Sequence, residues 1–416
     1  IISSVKHEMI NRNLKKEMLS EDLFSPGDFE ITLEPLESKK IHFYISCKEF
    51  DISSVNFDDI ISENNYVLDK LNSKIPEEFV QLKDLAYGVE KLDIGDYMVK
   101  TLPYKTVQDY DLKIDYETNK FKFLQDLDNL TDILCAIEGQ YLIFERYKEA
   151  GVVFAKIRRA IREIDELDVQ DEECYVKIAN LKLWYIEILN KLYLKQPAIV
   201  DIYLNFIKEM LDSVLNKGRQ ELVLSNILTC ALCYNAIKVY ENMISKLGFE
   251  DEKLNEIAIC IKNLIIDKFW LEDKKVLKRN ISDETANANI EMLFTLSLSY
   301  PCVFGNIPIK LLDTIFKELY TPYGLRMYSK RSLLNDGLIY PKYMAHFVKA
   351  NLRQNGITRA SQKIAFNLVK ELIQDISKYV SGGVKKIYHE NGADIMEESY
   401  DLLTNAEAIR LYDMLT

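Results

Sequence analysis

From about Leu127 to the last residues, apolar side chains recur every three or four positions, and this period constrains the fold more than any other feature of the chain. It marks eleven stretches as helices: Ile133–Phe144, Gly151–Ile164, Ala179–Leu194, Ile199–Leu215, Leu222–Ile244, Leu254–Phe269, Asn287–Leu298, Ile309–Leu319, Pro341–Leu352, Ser361–Tyr379 and Ala406–Leu415. The helices are short, are separated by loops, and carry no repeat of about 34 or about 40 residues. An (α/α)6 toroid fits that pattern slightly better than a solenoid, although periodicity alone does not choose between them.

The N-terminal part reads differently. The segment EITLEPLESKKIHFYIS alternates apolar and polar positions and breaks at Pro35, as strands around a turn would. A helical stretch near Ile60–Leu71 follows, and DLKIDYETNKFKF, ending at Phe123, reads as a hairpin. The expected organisation is a small β-containing region over residues 1–122 and a mainly α region over 123–416.

Composition removes several function classes. A net charge of −12 argues against a nucleic-acid partner, and the pair Lys385 and Lys386 is too short to change that. Seven scattered cysteines favour reduced thiols and a cytoplasmic setting. Cys230 and Cys233 form a C-x-x-C inside the apolar run ILTCALCYNAIKVY, where core packing is the simpler role. No metal-ligand spacing, no cofactor motif, no membrane-length apolar run and no secretion signal are visible, so neither metal, cofactor nor membrane is expected.

The run Thr321–Arg353 carries a resemblance. Thr321, Pro322, Gly324, Leu325, Arg326 and Ser329 match T-P-F-G-L-R-T-L-S of archaeal and bacterial glycogen-debranching enzymes; Gly337 and Pro341 match their Q-G-T-V-W-P-W-L. Phe347, Val348, Ala350, Leu352 and Arg353 match the helix that follows. Other anchors keep the family's order: Asp132, Gly139, Arg146, Glu149 and Ala150; then Leu183, Trp184 and Ile186; then Ala231 to Ala236; then Leu293–Leu298; then KKIYHENG; then Asn405–Glu407. Glu21–Ile31 resembles the end of the family's N-terminal sandwich. The resemblance implies a toroidal amylo-α-1,6-glucosidase domain that hydrolyses an α-1,6-linked glucose stub, with an α-glucan as the ligand.

Inverting hydrolysis requires a protonated carboxyl and a carboxylate base about 6.5–9.5 Å apart, and sugar binding adds polar groups and an aromatic face. The departures from the family fall on those groups. Its W-G-R-D is reduced to Asn129, Leu130, Thr131 and Asp132; the aspartate of D-A-S-L-W becomes Asn180. The V-E-I-N glutamate becomes Leu228 and its asparagine Cys230, the R-P-N-Q arginine becomes Asn289, and the base position becomes Lys386. The loop bearing the family's acid has no counterpart, because Asn216–Gln220 crosses that gap directly.

Asp132 is the leading residual sugar contact, with a helix N-cap shared with Thr131 as its alternative role. Arg326 and Tyr340 are the other candidate substrate contacts, Tyr340 standing where the family has a tryptophan. Glu397 and Glu398 are candidate displaced carboxylates, with a solvated loop pair as the alternative. Three functions follow as expectations: a catalytically impaired relative binding an α-glucan or a protein partner, an active glycosidase with rearranged carboxylates, or a helical interaction scaffold. The active form predicts facing carboxyl groups near Asp132; a cavity lined by Lys386, Leu228 and Thr131 speaks against it.

Overall fold

The structure is a computed structural model, and it describes residues 2–10, 16–24, 120–167, 169–216, 218–284, 286–376, 384–390 and 402–415. The chain divides into two compact units, 1–58 and 59–416. In the first, β1 (Ile2–Ile10) pairs antiparallel with β2 (Lys16–Phe24), in a register running from Ile2 opposite Phe24 to Ile10 opposite Lys16. The expected strands after Glu30 and the helical stretch near Ile60–Leu71 lie outside the described residues. One expectation is corrected at its edge. Lys120–Phe123, read as the second strand of a hairpin, forms the first turn of a helix.

The second unit is mainly helical, and the expected helices are found, most with boundaries shifted by a few residues, although the first begins at Lys120 rather than Ile133 and the third at Glu172 rather than Ala179. They are α1 (Lys120–Ile137), α2 (Tyr147–Asp165), α3 (Glu172–Lys195), α4 (Val200–Val214), the single turn α5 (Gln220–Val223) and α6 (Ile227–Ser245). Next come α7 (Glu252–Leu264), α8 (Glu291–Ser297), α9 (Ile307–Glu318), α10 (Met344–Asn355), α11 (Arg359–Ile376) and α12 (Leu402–Leu415). A π-helical turn, Glu138–Leu142, continues α1, and another, Ile265–Phe269, continues α7.

Local chemistry sets several of these ends. The Asp171 carboxylate accepts from Cys174 N at 3.0 Å and caps α3, with Glu172 and Glu173 in the first turn against the helix dipole. Asn226 caps α6 through Thr229 N at 3.1 Å, and Asp251 caps α7 through Leu254 N at 3.1 Å. Gly356 stops α10 with φ of 77°, a backbone angle that a side chain would strain. The N-cap role for Asp132 is overturned: Asp132 lies far inside α1, and Thr131 Oγ1 donates to Leu127 O at 2.9 Å instead of capping. The sequence hid this start because the polar run DNLTD interrupts an apolar stripe that is in fact continuous. Phe123, Leu127, Leu130, Ile133, Leu134 and Ile137 are all buried.

Six helices pack in a cycle: α1 on α3, α3 on α6, α6 on α8, α8 on α10, α10 on α12, and α12 back on α1. A second layer covers the joints. Helix α2 lies on α1 and α3, α4 on α3 and α6, α7 on α6, α9 on α8 and α10, and α11 on α10 and α12. The burial patterns follow this division. Leu181–Asn190 of α3 is buried without a break, as a helix enclosed on every side must be. The outer α2 buries one stripe, Ala150, Val153, Phe154, Ile157, Ala160, Ile161 and Ile164. Three two-stranded ribbons are described in this unit; β3 (Trp270–Leu271) with β4 (Val276–Leu277) and β5 (Tyr320–Thr321) with β6 (Gly324–Leu325) join neighbouring helices. In the last, β7 (Leu338–Ile339) pairs with β8 (Tyr388–His389).

Candidate functional site

A cavity of about 510 Å³ opens between α1, the first half of α3, the start of α6 and the start of α8. Trp184 lines it, only 7% exposed, its indole held edge-on by Phe294 at 5.5 Å and by His346 at 6.2 Å. Polar groups line it as well, and they are already held by hydrogen bonds. Asn226 Nδ2 donates to Glu291 Oε2 at 3.0 Å, Arg279 Nε donates to Glu291 Oε1 at 2.8 Å, and Thr229 Oγ1 donates to Asn180 Oδ1 at 3.0 Å. Lys177 Nζ pairs with Asp128 across the mouth.

The substituted positions meet here. Thr131, Asn180 and Leu228, which stand where the resembling family has arginine, aspartate and glutamate, come from three helices and line the same cavity. Asn289 and Cys230 lie behind the wall, in the core: Asn289 Nδ2 donates to Leu277 O at 3.1 Å, and the fully buried Cys230 thiol donates to Leu224 O at 3.2 Å. Burial pushes the Cys230 and Cys233 thiols up, and both are free cysteines, as core packing requires.

The cavity does contain carboxylates, and the sequence reading missed them. Glu291 sits in the first turn of α8, two residues past Asn289, while Asp128 lies one turn before Asp132 on α1. Their only signal was position beside the altered motifs. Both Glu291 oxygens are taken, by Arg279 and Asn226, and Asp128 is held by Lys177, so neither is offered unengaged to a glycosidic oxygen or a water. Glu173 is likewise paired, with Lys120 at 3.0 Å.

The residues singled out from sequence lie elsewhere. Asp132 is half-buried on α1 and does not line the cavity; after burial itself, its charge helps to push up the Cys135 thiol and, with Lys342 opposing, the Tyr343 phenol. Arg326 is 7% exposed, paired through Nε with Glu390, and donates to Tyr320 O at 3.3 Å. Tyr340 donates its hydroxyl to Asp336 at 2.8 Å; burial and this bond push its ionisation up. Its backbone pairs with Leu325 in both directions, so the Thr321–Arg353 run acts as a clamp between ribbon and helix. Lys386 is exposed and does not line the cavity, and Glu397 and Glu398 lie outside the described residues.

A second arrangement resembles a nucleophile and its base but has no access. Ser297 Oγ lies 2.9 Å from His346 Nδ1, yet Ser297 is fully buried and does not line the cavity. His346 Nε2 faces Arg410 at 3.4 Å and is 3.9 Å from Glu407, and burial together with Arg410 pushes the imidazole well below its usual range. These groups are core packing.

Residues 225–340 match the family model of amylo-α-1,6-glucosidase, a span that carries Asn226, Leu228, Arg279, Asn280 and Glu291 of the cavity wall. A search of curated proteins finds no match. The ordered anchors and the matched segment agree, and the match over residues 225–340 supports membership in the glycogen-debranching-enzyme-related family.

Proposed function

We propose that this protein is a catalytically impaired relative of the debranching glucosidases, which holds the end of an α-glucan in the cavity over Trp184 without hydrolysing it. The reading rests on one observation above the others: Thr131, Asn180 and Leu228 converge on the cavity while Trp184 remains at its wall. An indole face and side-chain amides suit a sugar ring and its hydroxyls. Leucine at the position of a carboxylate has no proton to exchange. In this reading residues 123–416 form an (α/α)6 toroid, supported by the cycle from α1 to α12 with its outer layer, and residues 1–122 form a separate β-containing region. The reduced state of the described cysteines suits a cytoplasmic setting. No helix among the described residues is long and apolar enough to cross a membrane.

The test is calorimetry with glycogen, limit dextrin and panose, with glucose release followed in the same samples. Binding without release is expected, and Leu228→Trp, which fills the cavity from α6, should weaken it more than tenfold, about 1.4 kcal/mol. Absence of binding in the folded protein would overturn the proposal. A second reading, hydrolysis by rearranged carboxylates, draws on Glu291, which is 9% exposed inside the cavity, and on Glu172, which lines the same cavity with no ion pair among the described residues. It requires glucose release that Glu291→Gln abolishes.

A further inference from the structure

A second cavity, about 560 Å³, is walled by Glu138 of the π-turn after α1, Ile143, the C-terminal turns of α10 and α12 and the loop after α10. Its mouth is marked by Ile357, which is 77% exposed. Its floor is a charged network. Arg410 Nε lies 2.9 Å from Glu138 Oε2 and also binds Glu407; Lys191 Nζ lies 3.4 Å from Glu187 Oε1 and 4.0 Å from Glu138 Oε1.

Two cations on this wall lack a carboxylate partner among the described residues. Among the described residues no carboxylate oxygen lies within 4.0 Å of Lys349 Nζ, whose bonded neighbour is the ammonium of Lys191. Arg353 has no carboxylate partner either, and donates to the carbonyls of Leu296, Leu298 and Ser299 at 2.6, 2.7 and 3.3 Å. The charged groups facing this floor are Glu138 from the π-turn, Glu187 and Lys191 from α3, His346, Lys349 and Arg353 from α10, and Glu407 and Arg410 from α12; Asp413 stands at the exposed rim. Burial first, then Lys191, drives the Lys349 ammonium well below its usual range, while burial raises the Glu407 carboxyl. Apart from Asp413 at the rim, the floor carries the cationic side chains Lys191, Lys349, Arg353 and Arg410 against the carboxylates Glu138, Glu187 and Glu407.

We propose that this cavity binds a small organic anion, a carboxylate or phosphate ester whose charged head lies against Lys349 and Arg353 and whose apolar body lies along Leu352, Ile357 and Met414. The volume falls in the range of small-ligand sites, about 300–1,000 Å³. The anion supplies the charge that Lys349 lacks, so binding draws a proton onto that amine. Affinity consequently rises as pH falls through the range where free Lys349 is neutral.

Benzoate is the probe, because it keeps one negative charge at any pH above about 6; benzamide is its neutral isostere, and inorganic phosphate tests the head group alone. Calorimetry in buffers of different ionisation heat should show benzoate binding with proton uptake, and no binding of benzamide. Lys349→Met should weaken benzoate about ten- to hundredfold, the worth of one charge-assisted hydrogen bond. Ile357→Asp, at an exposed position where the fold is not at stake, should weaken it similarly by placing a carboxylate at the mouth. Leu228→Trp, in the other cavity, should leave it unchanged, so this proposal and the glucan proposal fail separately. Silence of both benzoate and phosphate in the folded protein, benzamide binding as well as benzoate, or Lys349→Met binding like the parent would each overturn the assignment.

Discussion

Gly139 offers a test of the cycle of six helices in which the sign of the effect decides. It sits in the π-turn after α1, against α12, and a Cβ built there would lie 2.1 Å from Ala406 O, 2.6 Å from its carbonyl carbon and 2.7 Å from its Cα. Carbon atoms in contact prefer about 3.5–4.0 Å, so the two backbones would have to part by roughly 1 Å. Ala406 is fully buried and the atoms met are backbone, so no side chain can swing aside. Overpacking of this kind costs about 3 kcal/mol, the upper part of the usual range. Alanine in place of a helical glycine otherwise gains about 1 kcal/mol. The net expectation for Gly139→Ala is a loss of about 2 kcal/mol.

Gly151 is the control. It lies in α2 with no atom within 4 Å of an added Cβ, so Gly151→Ala should stabilise by about 0.5–1 kcal/mol. Thermal unfolding followed by far-UV circular dichroism reads both. At about 2–4 °C per kcal/mol, Gly139→Ala should melt roughly 4–8 °C lower and Gly151→Ala slightly higher than the parent. A Gly139 variant that melts at or above the parent would refute the close approach of α12 to α1, and with it the closure of the cycle.

Two further predictions concern charge and access. Burial alone would raise the Glu138 carboxyl, but Arg410, Lys191 and Lys349 overcome it and hold it at about 2. Its stabilising contribution is therefore complete above the ordinary value of 4.5 and disappears as pH falls toward about 2. Glu138→Gln should cost about 3 kcal/mol at neutral pH by leaving Arg410 and Lys191 short of a partner, and the gap in urea midpoint should close over that acidic window; a gap that does not change with pH would rule this out. Among the described cysteines, the exposed Cys260 should react rapidly with N-ethylmaleimide in the native protein, while Cys174, Cys230, Cys233 and Cys302 react only on unfolding. Mass spectrometry of the labelled peptides gives the answer, and early labelling of Cys230 or Cys233 would contradict their burial.

The apolar period of the sequence was enough to locate the helices, a local property of a 3.6-residue repeat, although it missed the first turns of α1. That Leu181–Asn190 is enclosed on all sides, Lys182, Glu187 and Asn190 included, whereas α2 buries a single stripe, came from the structure. The altered chemistry was equally legible, because Thr131, Asn180 and Leu228 can be compared with a motif one residue at a time. What the sequence did not reveal is which side chains share a space. Asp132 was chosen over Asp128, although one turn of α1 puts Asp128 and Thr131 on the cavity and Asp132 off it. Glu291 went unnoticed because its meeting with Asn226 and Arg279 joins residues up to 65 positions apart. Arg326 looked like a sugar contact until its pairing with Glu390 placed it in the packing. The second cavity brings together the ends of helices that begin nearly 300 residues apart, at Lys120 and Leu402. Local periodicity fixes where a helix forms; its rotation about its own axis and the neighbours it meets are set only when all the apolar faces are buried together, and those two quantities decide what a cavity contains.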